Sequence, residues 1–191
     1  YLPTKYNCDI GEAMHSKNEW GKLNKVIVGH AHNATVPEID ISLRHINYAD
    51  VKDELTIPAG KYPQIVVDEA NEDLTTFVDF LEKEGVDVVR PDITDCNYYN
   101  YCPRDSVIVY KDKAIATPMP LRARRNEYQA YERHLENIHP YDIMRADELY
   151  NPNCLGDREV LALTEHEPAF DAANVIRAND DLLYLVSNSG N

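Results

Sequence analysis

The pattern of apolar and polar positions predicts alternating strands and helices. The β-branched run Lys25–Gly29 is typical of a strand, and Val86–Val89 is typical of another. Between them, Gln64–Glu84 is predicted to be a helix that starts after Pro63 and ends at Gly85. Its apolar stripe, with i, i+3, i+4, i+7 spacing, consists of Leu74, Phe77, Val78 and Leu81. A helix followed by glycine and a strand indicates the α/β class.

The rest of the pattern predicts one more helix and further strands. Leu121–Asn137 is predicted to be a helix, and Asp157–Thr164 is predicted to contain a strand. Tyr48–Tyr62 is predicted to be irregular because it contains proline and glycine. The continuous apolar run Leu182–Val186 is predicted to be a buried strand. The apolar face of the second helix is formed by Tyr128, Tyr131 and Leu135.

Two strand–turn–strand units each follow an aspartate. Asp105 precedes the hairpin pattern of Ser106–Thr117, and Asp171 precedes that of Asn174–Val186. The two aspartates lie 66 residues apart. If each unit has about this length, the chain contains roughly three units of a repeating architecture, which favours a radial or stacked fold.

Composition predicts one packed globular domain over residues 1–191, with 43% hydrophobic and 27% charged residues. The net charge of −14 argues against nucleic acid and against an anionic membrane surface as partners. No apolar run reaches the length of a membrane span, no signal peptide is visible and the four cysteines show no CxxC spacing, so we expect a cytoplasmic protein with reduced thiols. The chain lacks an initial methionine, so we expect the native start to be missing. It ends in a turn directly after a predicted strand, so we also expect a truncation at the C-terminus.

The two aspartates are the strongest candidates for chemistry, and each has two interpretations. Asp105 either binds a guanidinium group, which a carboxylate matches as a fork, or caps the turn after Pro103. Asp171 is followed by Ala172-Ala173, which permits close approach of a ligand, but an N-cap or a tight turn explains the same residues. The sequence alone leaves both pairs of alternatives open.

A metal site is a weaker hypothesis. His30 and His32 lie on one side of a predicted strand, as zinc ligands do, but no third ligand is apparent. We therefore predict no metal, and a metal-dependent hydrolase would rest on these two histidines alone. The basic cluster Arg122, Arg124 and Arg125 is interpreted as a salt-bridged face.

Several short motifs together resemble the glycine amidinotransferases and their bacterial relatives, in the order in which that family has them. Each motif is short, but the ordered combination is specific and covers nearly the whole chain. The motifs are Asn18-Glu19-Trp20, Lys25-Val26-Ile27-Val28-Gly29, Glu84-Gly85-Val86-Asp87-Val88-Val89-Arg90-Pro91, Cys102-Pro103-Arg104-Asp105, Ala116-Thr117-Pro118-Met119, Ala146-Asp147-Glu148-Leu149-Tyr150 and Glu167-Pro168-Ala169-Phe170-Asp171-Ala172-Ala173-Asn174-Val175-Ile176-Arg177.

This resemblance implies a pentein-type five-bladed α/β propeller, of which the chain would hold roughly three repeats as the N-terminal part. It implies an enzyme in which a cysteine thiolate attacks the guanidinium carbon of L-arginine and an acceptor amine, such as glycine, collects the amidino group. No cofactor is implied. The partners are then small molecules, and the full-length enzyme is expected to be a homodimer.

The family's site residues carry over only in part. Asp105 matches the carboxylate that binds the guanidinium, and Asp171 matches the acid that partners the catalytic histidine and contacts the substrate. Tyr99 matches a tyrosine near the substrate, whereas Asn174 replaces an expected aspartate. The catalytic histidine and cysteine are expected beyond Asn191, so this chain by itself is expected to be inactive.

Two alternatives to the transferase remain open at this stage. A deiminase or dihydrolase of the same superfamily would use water in place of the amine. A non-catalytic protein would keep the arginine site and lack the thiol. The ordered motifs favour the transferase.

Overall fold

The computed structural model describes residues 15–94, 101–135, 138, 146–157 and 159–191. Its strands are β1 (Lys25–Ile27), β2 (Thr35–Val36), β3 (Gly60–Lys61), β4 (Asp87–Val89), β5 (Val107–Tyr110), β6 (Lys113–Ala116), β7 (Val175–Ala178) and β8 (Asp181–Tyr184). Its α-helices are α1 (Ile41–Ile46), α2 (Gln64–Lys83) and α3 (Pro103–Ser106). Its 3₁₀ helices span Glu54–Thr56, Arg122–Arg124, Glu127–Tyr131, Asp147–Leu149, Pro152–Cys154 and Ala172–Asn174.

The helix α2 and the strands β1 and β4 form the α/β part of the fold. β1 and β4 pair in parallel, and α2 is in the connection between them. Gly85 ends the helix with a positive φ of 80°, a conformation that glycine adopts without strain. Leu74, Val78 and Leu81 pack onto this sheet, while Phe77 is exposed. The predicted helix and both strands are therefore confirmed, apart from the burial of Phe77.

The two predicted hairpins are also confirmed. β5 pairs with β6, and β7 pairs with β8, both antiparallel. Each hairpin has a two-residue turn whose first residue, Lys111 or Asn179, has a positive φ of 54° or 63°. Positive φ is the conformation that short hairpin turns require, because it matches the twist of the strands.

The two hairpins lie side by side. The Tyr110 hydroxyl donates to the Asn179 carbonyl at 2.9 Å, and Arg177 Nη1 donates to the Val109 carbonyl at 2.8 Å. Ile108 of β5 packs against Val175 of β7 and against Ala172, which precedes β7, and the three residues form a buried cluster. Apolar packing and two main-chain contacts thus fix one hairpin against the other.

The predicted helix over Leu121–Asn137 is wrong. The chain forms 3₁₀ turns over Arg122–Arg124 and Glu127–Tyr131 instead. The physical reason is Arg124, whose side chain turns into the protein interior to reach Asp105, 19 positions earlier in the chain. Tyr131 and Leu135 are nevertheless buried against Val107, so the pattern identified core residues although it predicted the wrong helix.

Two other sequence predictions are wrong. The described residues of Asp157–Thr164 form no strand, because the opposing segment is coiled in 3₁₀ turns and only Leu163 bridges to Tyr150. The run Leu182–Val186 is not buried: Leu183 is 57% and Leu185 is 66% exposed. β8 pairs with β7 along one edge, and its residues Leu182 and Leu183 stay largely exposed.

The architecture is mixed α/β, as predicted. Within the described ranges the strands make four two-stranded sheets, and these do not close into a ring. Tyr48–Tyr62 is largely irregular, as predicted, but it contains one 3₁₀ turn and the short β3.

Candidate functional site

Asp105 is located on the one-turn helix α3, directly before β5. Pro103 starts this turn, and the Asp105 amide donates to the Cys102 carbonyl at 3.1 Å. The Thr117 hydroxyl donates to the Asp105 carbonyl at 3.1 Å, which ties α3 to the end of β6. The carboxylate itself is partly exposed and is not used as a cap, since no side chain caps this turn.

Asp171 is located directly before the 3₁₀ helix Ala172–Asn174, which leads into β7. Its amide donates to the Ser189 carbonyl at 3.0 Å, so the turn after β8 holds its backbone. Its side chain does not cap the helix, and its Oδ1 is buried with no hydrogen-bond partner in the part of the chain that the structure describes. A buried carboxylate oxygen without a donor is costly, so this oxygen is suited to a ligand that donates.

Arg104 brings the two aspartates into one site. Its Nη2 donates to the Val175 carbonyl at 2.6 Å, and its Nη1 donates to the Ala172 carbonyl. The residue next to Asp105 is thereby bound to the residue next to Asp171, although 68 positions separate Arg104 from Ala172. Asp105 and Asp171 are close enough for their charges to interact.

The electrostatics of Asp171 suit a cation. Burial raises the pKa of its carboxyl, and the nearby charge of Asp105 adds to this rise. The hydrogen bond from Ser189 and the charge of Arg124 act in the opposite direction. A guanidinium placed between the two carboxylates would relieve their repulsion and give the unpaired Oδ1 a donor.

Arg124 is the site residue that the sequence analysis missed. Its Nη1 donates to Oδ2 of Asp105 at 2.9 Å, and its side chain is only 5% exposed. The interpretation as a salt-bridged face fits Arg122, which pairs with the exposed Asp147 at 2.6 Å, but does not fit Arg124. The i, i+3 spacing of Arg124 and Glu127 is the one feature of the sequence that could have indicated that these two side chains form an ion pair.

Neither described cysteine has the electrostatics of a thiolate nucleophile. Burial and the charge of Asp105 raise the pKa of Cys102 to about 11. Burial also raises the pKa of Cys154. Cys8 and Cys96 lie outside the described residues.

Two further sequence candidates have different outcomes. Tyr99 lies outside the described residues. Asn174 is buried and hydrogen-bonds through its amide nitrogen to the Ser187 hydroxyl at 3.0 Å. It therefore stabilises the turn that holds the backbone of Asp171, which a neutral amide can do with both a donor and an acceptor.

The histidine pair does not form a described metal site. The rings of His30 and His32 are 5.0 Å apart, but the described residues contain no group of three or more ligand side chains arranged for a metal ion. Burial lowers the pKa of His30. In the described part of the chain, no helix combines the length and apolar character that crossing a membrane would demand.

A cavity of about 540 Å³ lies beside the segment that leads into Arg124. Leu121, Arg122 and Asp40 line it, together with residues around β2 and β3. Neither Asp105 nor Asp171 lines this cavity. The aspartate site is distinguished by its chemistry, not by its enclosed volume.

Comparison with known proteins gives a consistent set of relatives. The inosamine-phosphate amidinotransferase of Streptomyces glaucescens is 39% identical, over 91% of this chain and 55% of its own length. Mitochondrial glycine amidinotransferase of Gallus gallus is 34% identical, over 87% of this chain and 47% of its own length. The chain thus spans about half the length of these relatives. No protein-family model matches it.

Solved structures agree with the sequence relatives. Inosamine-phosphate amidinotransferase of Streptomyces griseus superposes with a TM-score of 0.85 at 37% identity, over 93% of this chain and 56% of that one. An amidinotransferase of saxitoxin biosynthesis from Microseira wollei superposes with a TM-score of 0.78 at 28% identity, with the same coverage.

Proposed function

Because the chain is homologous to about half the length of amidinotransferases, we propose that its protein moves the amidino group of L-arginine to an acceptor amine. The observation that carries this proposal is the closeness of Asp105 to Asp171, whose buried Oδ1 has no hydrogen-bond partner among the described residues. A guanidinium offers both the charge and the planar set of N–H donors that two neighbouring carboxylates require.

In the proposed reaction, a cysteine thiolate attacks the guanidinium carbon. The bond from this carbon to Nε of arginine breaks, the nitrogen takes a proton, and ornithine leaves. The acceptor amine then attacks the amidino–cysteine adduct, loses a proton, and releases the thiolate as the carbon–sulfur bond breaks. Asp105 orients the guanidinium, while Asp171 contacts it and partners the histidine that transfers protons.

The nucleophile of this proposal is not among the described cysteines. The raised pKa values of Cys102 and Cys154 support this assignment, because a thiol that keeps its proton is a poor nucleophile. We propose that the nucleophile and the histidine come from the part of the protein that corresponds to the remaining length of the relatives.

For the acceptor, we propose glycine or a related amine, with an aminocyclitol phosphate as the first to be tested. The relatives named for inosamine phosphate reach 39% identity, against 34% for those named for glycine. We also propose that the complete fold is a five-bladed propeller with three repeats in this chain. The two adjacent hairpins, each preceded by an aspartate, support this.

The test is an assay of the protein from its complete reading frame with arginine labelled at the guanidino carbon. Glycine and an inosamine phosphate are offered separately. Ornithine together with a labelled guanidino product, and an amidino–cysteine adduct by mass spectrometry, are expected. Labelled citrulline or urea would instead indicate a hydrolytic enzyme, and arginine binding without any product would indicate a non-catalytic protein.

A further inference from the structure

Arg124 is held in one orientation by a second carboxylate. Its Nε donates to both oxygens of Glu127, at 2.9 and 3.0 Å, and its Nη2 donates to Oε2 at 2.8 Å. The Glu127 side chain is fully buried, and its Oε2 also accepts from the Ser106 hydroxyl at 2.6 Å. Glu127 thus binds the guanidinium through Nε and Nη2, and Nη1 donates to Asp105.

The cluster connects back to α3 at more than one point. Ser106, which binds Glu127, is the residue that follows Asp105, and Thr117 binds the Asp105 carbonyl. Burial by itself would lower the pKa of Arg124, but its contacts with Glu127 and Asp105 raise the pKa overall. Arg124 therefore remains charged.

The contact from Arg124 has a direct consequence for Asp105. It occupies Oδ2, and within the described part of the chain no donor occupies Oδ1. The negative charge of Glu127 offsets the positive charge of Arg124, so Arg124 orients Asp105 without cancelling the attraction of the site for a cation.

We propose that Arg124 is a positioning residue, which fixes Oδ2 of Asp105 so that Oδ1 faces the guanidinium of the substrate. This inference rests on the proposed function, since it assigns a role in arginine binding. Lysine cannot replace Arg124, because an ammonium group cannot bind Glu127 as a fork and reach Asp105 at the same time.

The experiment is a double-mutant cycle in the complete protein, with Arg124→Lys, Asp105→Asn and both together. We measure KM and kcat for arginine, and the Kd for arginine by calorimetry where turnover is lost. Arg124→Lys is expected to raise KM or Kd about tenfold, with a smaller loss in kcat. In the Asp105→Asn background the same change is expected to have less than about a twofold effect, because the oriented group is already altered.

The matched control is Arg122→Gln, since Arg122 lies in the same 3₁₀ turn and its acidic partner, Asp147, is exposed. It is expected to change KM less than about twofold. Glu127→Gln, which keeps an oxygen for Arg124 and Ser106, is taken through the same cycle in case Arg124→Lys does not fold. Its rise in KM is expected to be smaller and again absent with Asp105→Asn.

The outcomes separate the two proposals. A wild-type protein that neither binds nor converts arginine would overturn the proposed function. A wild-type protein that is active, with arginine binding changed equally in both backgrounds or unchanged in folded variants, would overturn the positioning role of Arg124.

Discussion

Glu19 binds Arg177 with both carboxylate oxygens, at 2.8 Å to Nε and 2.7 Å to Nη2, across 158 positions of the chain. Glu19 also lies 3.8 Å from Nη2 of Arg104, and Arg177 donates to the Val109 carbonyl in the first hairpin. This ion pair therefore fastens the segment around Glu19 to both hairpins and to the arginine that joins the two aspartates.

The pH dependence of stability follows from this pair. The hydrogen bond from Arg177 lowers the pKa of Glu19 from 4.5 to about 2. Because the pKa is lower in the folded state, the contribution to stability is complete above pH 4.5 and is lost as the pH falls toward 2. With allowance for partial exposure, Glu19→Gln is expected to reduce the free energy of unfolding by about 1–3 kcal/mol at neutral pH.

Thermal unfolding between pH 2 and pH 7 measures this effect, with the pair of Lys111 and the 91% exposed Asp180 as the control. The difference between wild type and Glu19→Gln should be constant near neutrality and shrink below about pH 4.5. Asp180→Asn is expected to leave the thermal midpoint almost unchanged, because an exposed ion pair contributes little to stability. A Glu19→Gln difference that does not depend on pH would contradict the assignment.

The two aspartates are expected to fail in different ways. Asp105→Asn in the complete protein should weaken guanidinium binding by about 2–4 kcal/mol, so that its rate recovers in part at high arginine. Asp171→Asn should remain slow at saturating arginine, because the proposed partner of the catalytic histidine is also altered. Steady-state kinetics with detection of the amidino–cysteine adduct test this. Near-normal rates in both folded variants would make these residues structural.

The 191-residue chain by itself is expected not to transfer amidino groups. Burial raises the pKa values of the Cys102 and Cys154 thiols, so both keep their protons and neither is an effective nucleophile. Incubation with arginine and glycine, followed by an ornithine assay, tests this against a boiled sample. Ornithine above that background, and its loss in Cys102→Ser, would require Cys102 to be reconsidered as the nucleophile.

Gly190 is expected to tolerate no side chain. A Cβ at this position would lie 1.9 Å from the amide nitrogen of Asn174 and 2.5 Å from the Tyr184 hydroxyl. Gly190→Ala should therefore displace the turn that holds the Asp171 backbone and destabilise the protein by about 1–3 kcal/mol. Gly21→Ala is the control, because its Cβ meets only the end of the Asn18 side chain. Equal thermal midpoints for the two variants would refute the prediction.

The exposed apolar segment at the end of β8 and just after it is expected to drive self-association of the isolated chain. Leu183, Leu185 and Val186 are each more than half exposed, which is unusual on the surface of a monomer. Sedimentation should show association that Leu183→Glu reduces. Leu55→Glu is the control, since Leu55 is 95% exposed in a separate 3₁₀ turn. A monodisperse monomer that melts cooperatively would argue against the prediction.

Local patterns were sufficient where local interactions decide the structure. The stripe along α2 and the stop at Gly85 predicted that helix, and apolar runs with short polar turns predicted both hairpins. The segment from Arg122 to Tyr131 could not be predicted, because a buried arginine that binds Asp105 overrides helical periodicity. The exposure of β8 depends on what packs against it, which periodicity does not contain.

The candidate site shows the same division. Asp105 and Asp171 stood out from the sequence because each is an acid before a strand–turn–strand pattern. Their proximity depends on contacts that Arg104 makes 68 and 71 positions away, and no spacing rule predicts such contacts. Arg124 was assigned to the surface, because a cluster of arginines in an acidic chain is usually solvated.

The way in which Arg104 holds the second aspartate has an evolutionary consequence. Arg104 donates hydrogen bonds to the backbone carbonyl oxygens of Ala172 and Val175. Every amino acid has such an oxygen, so these contacts do not depend on the side chains. The exposed Ala173, between them, is therefore free to vary while the separation of the two acids stays constant. A saturation library at Ala173 would therefore diversify the surface next to Asp171 while the contacts of Arg104 with the two carbonyl oxygens stay in place.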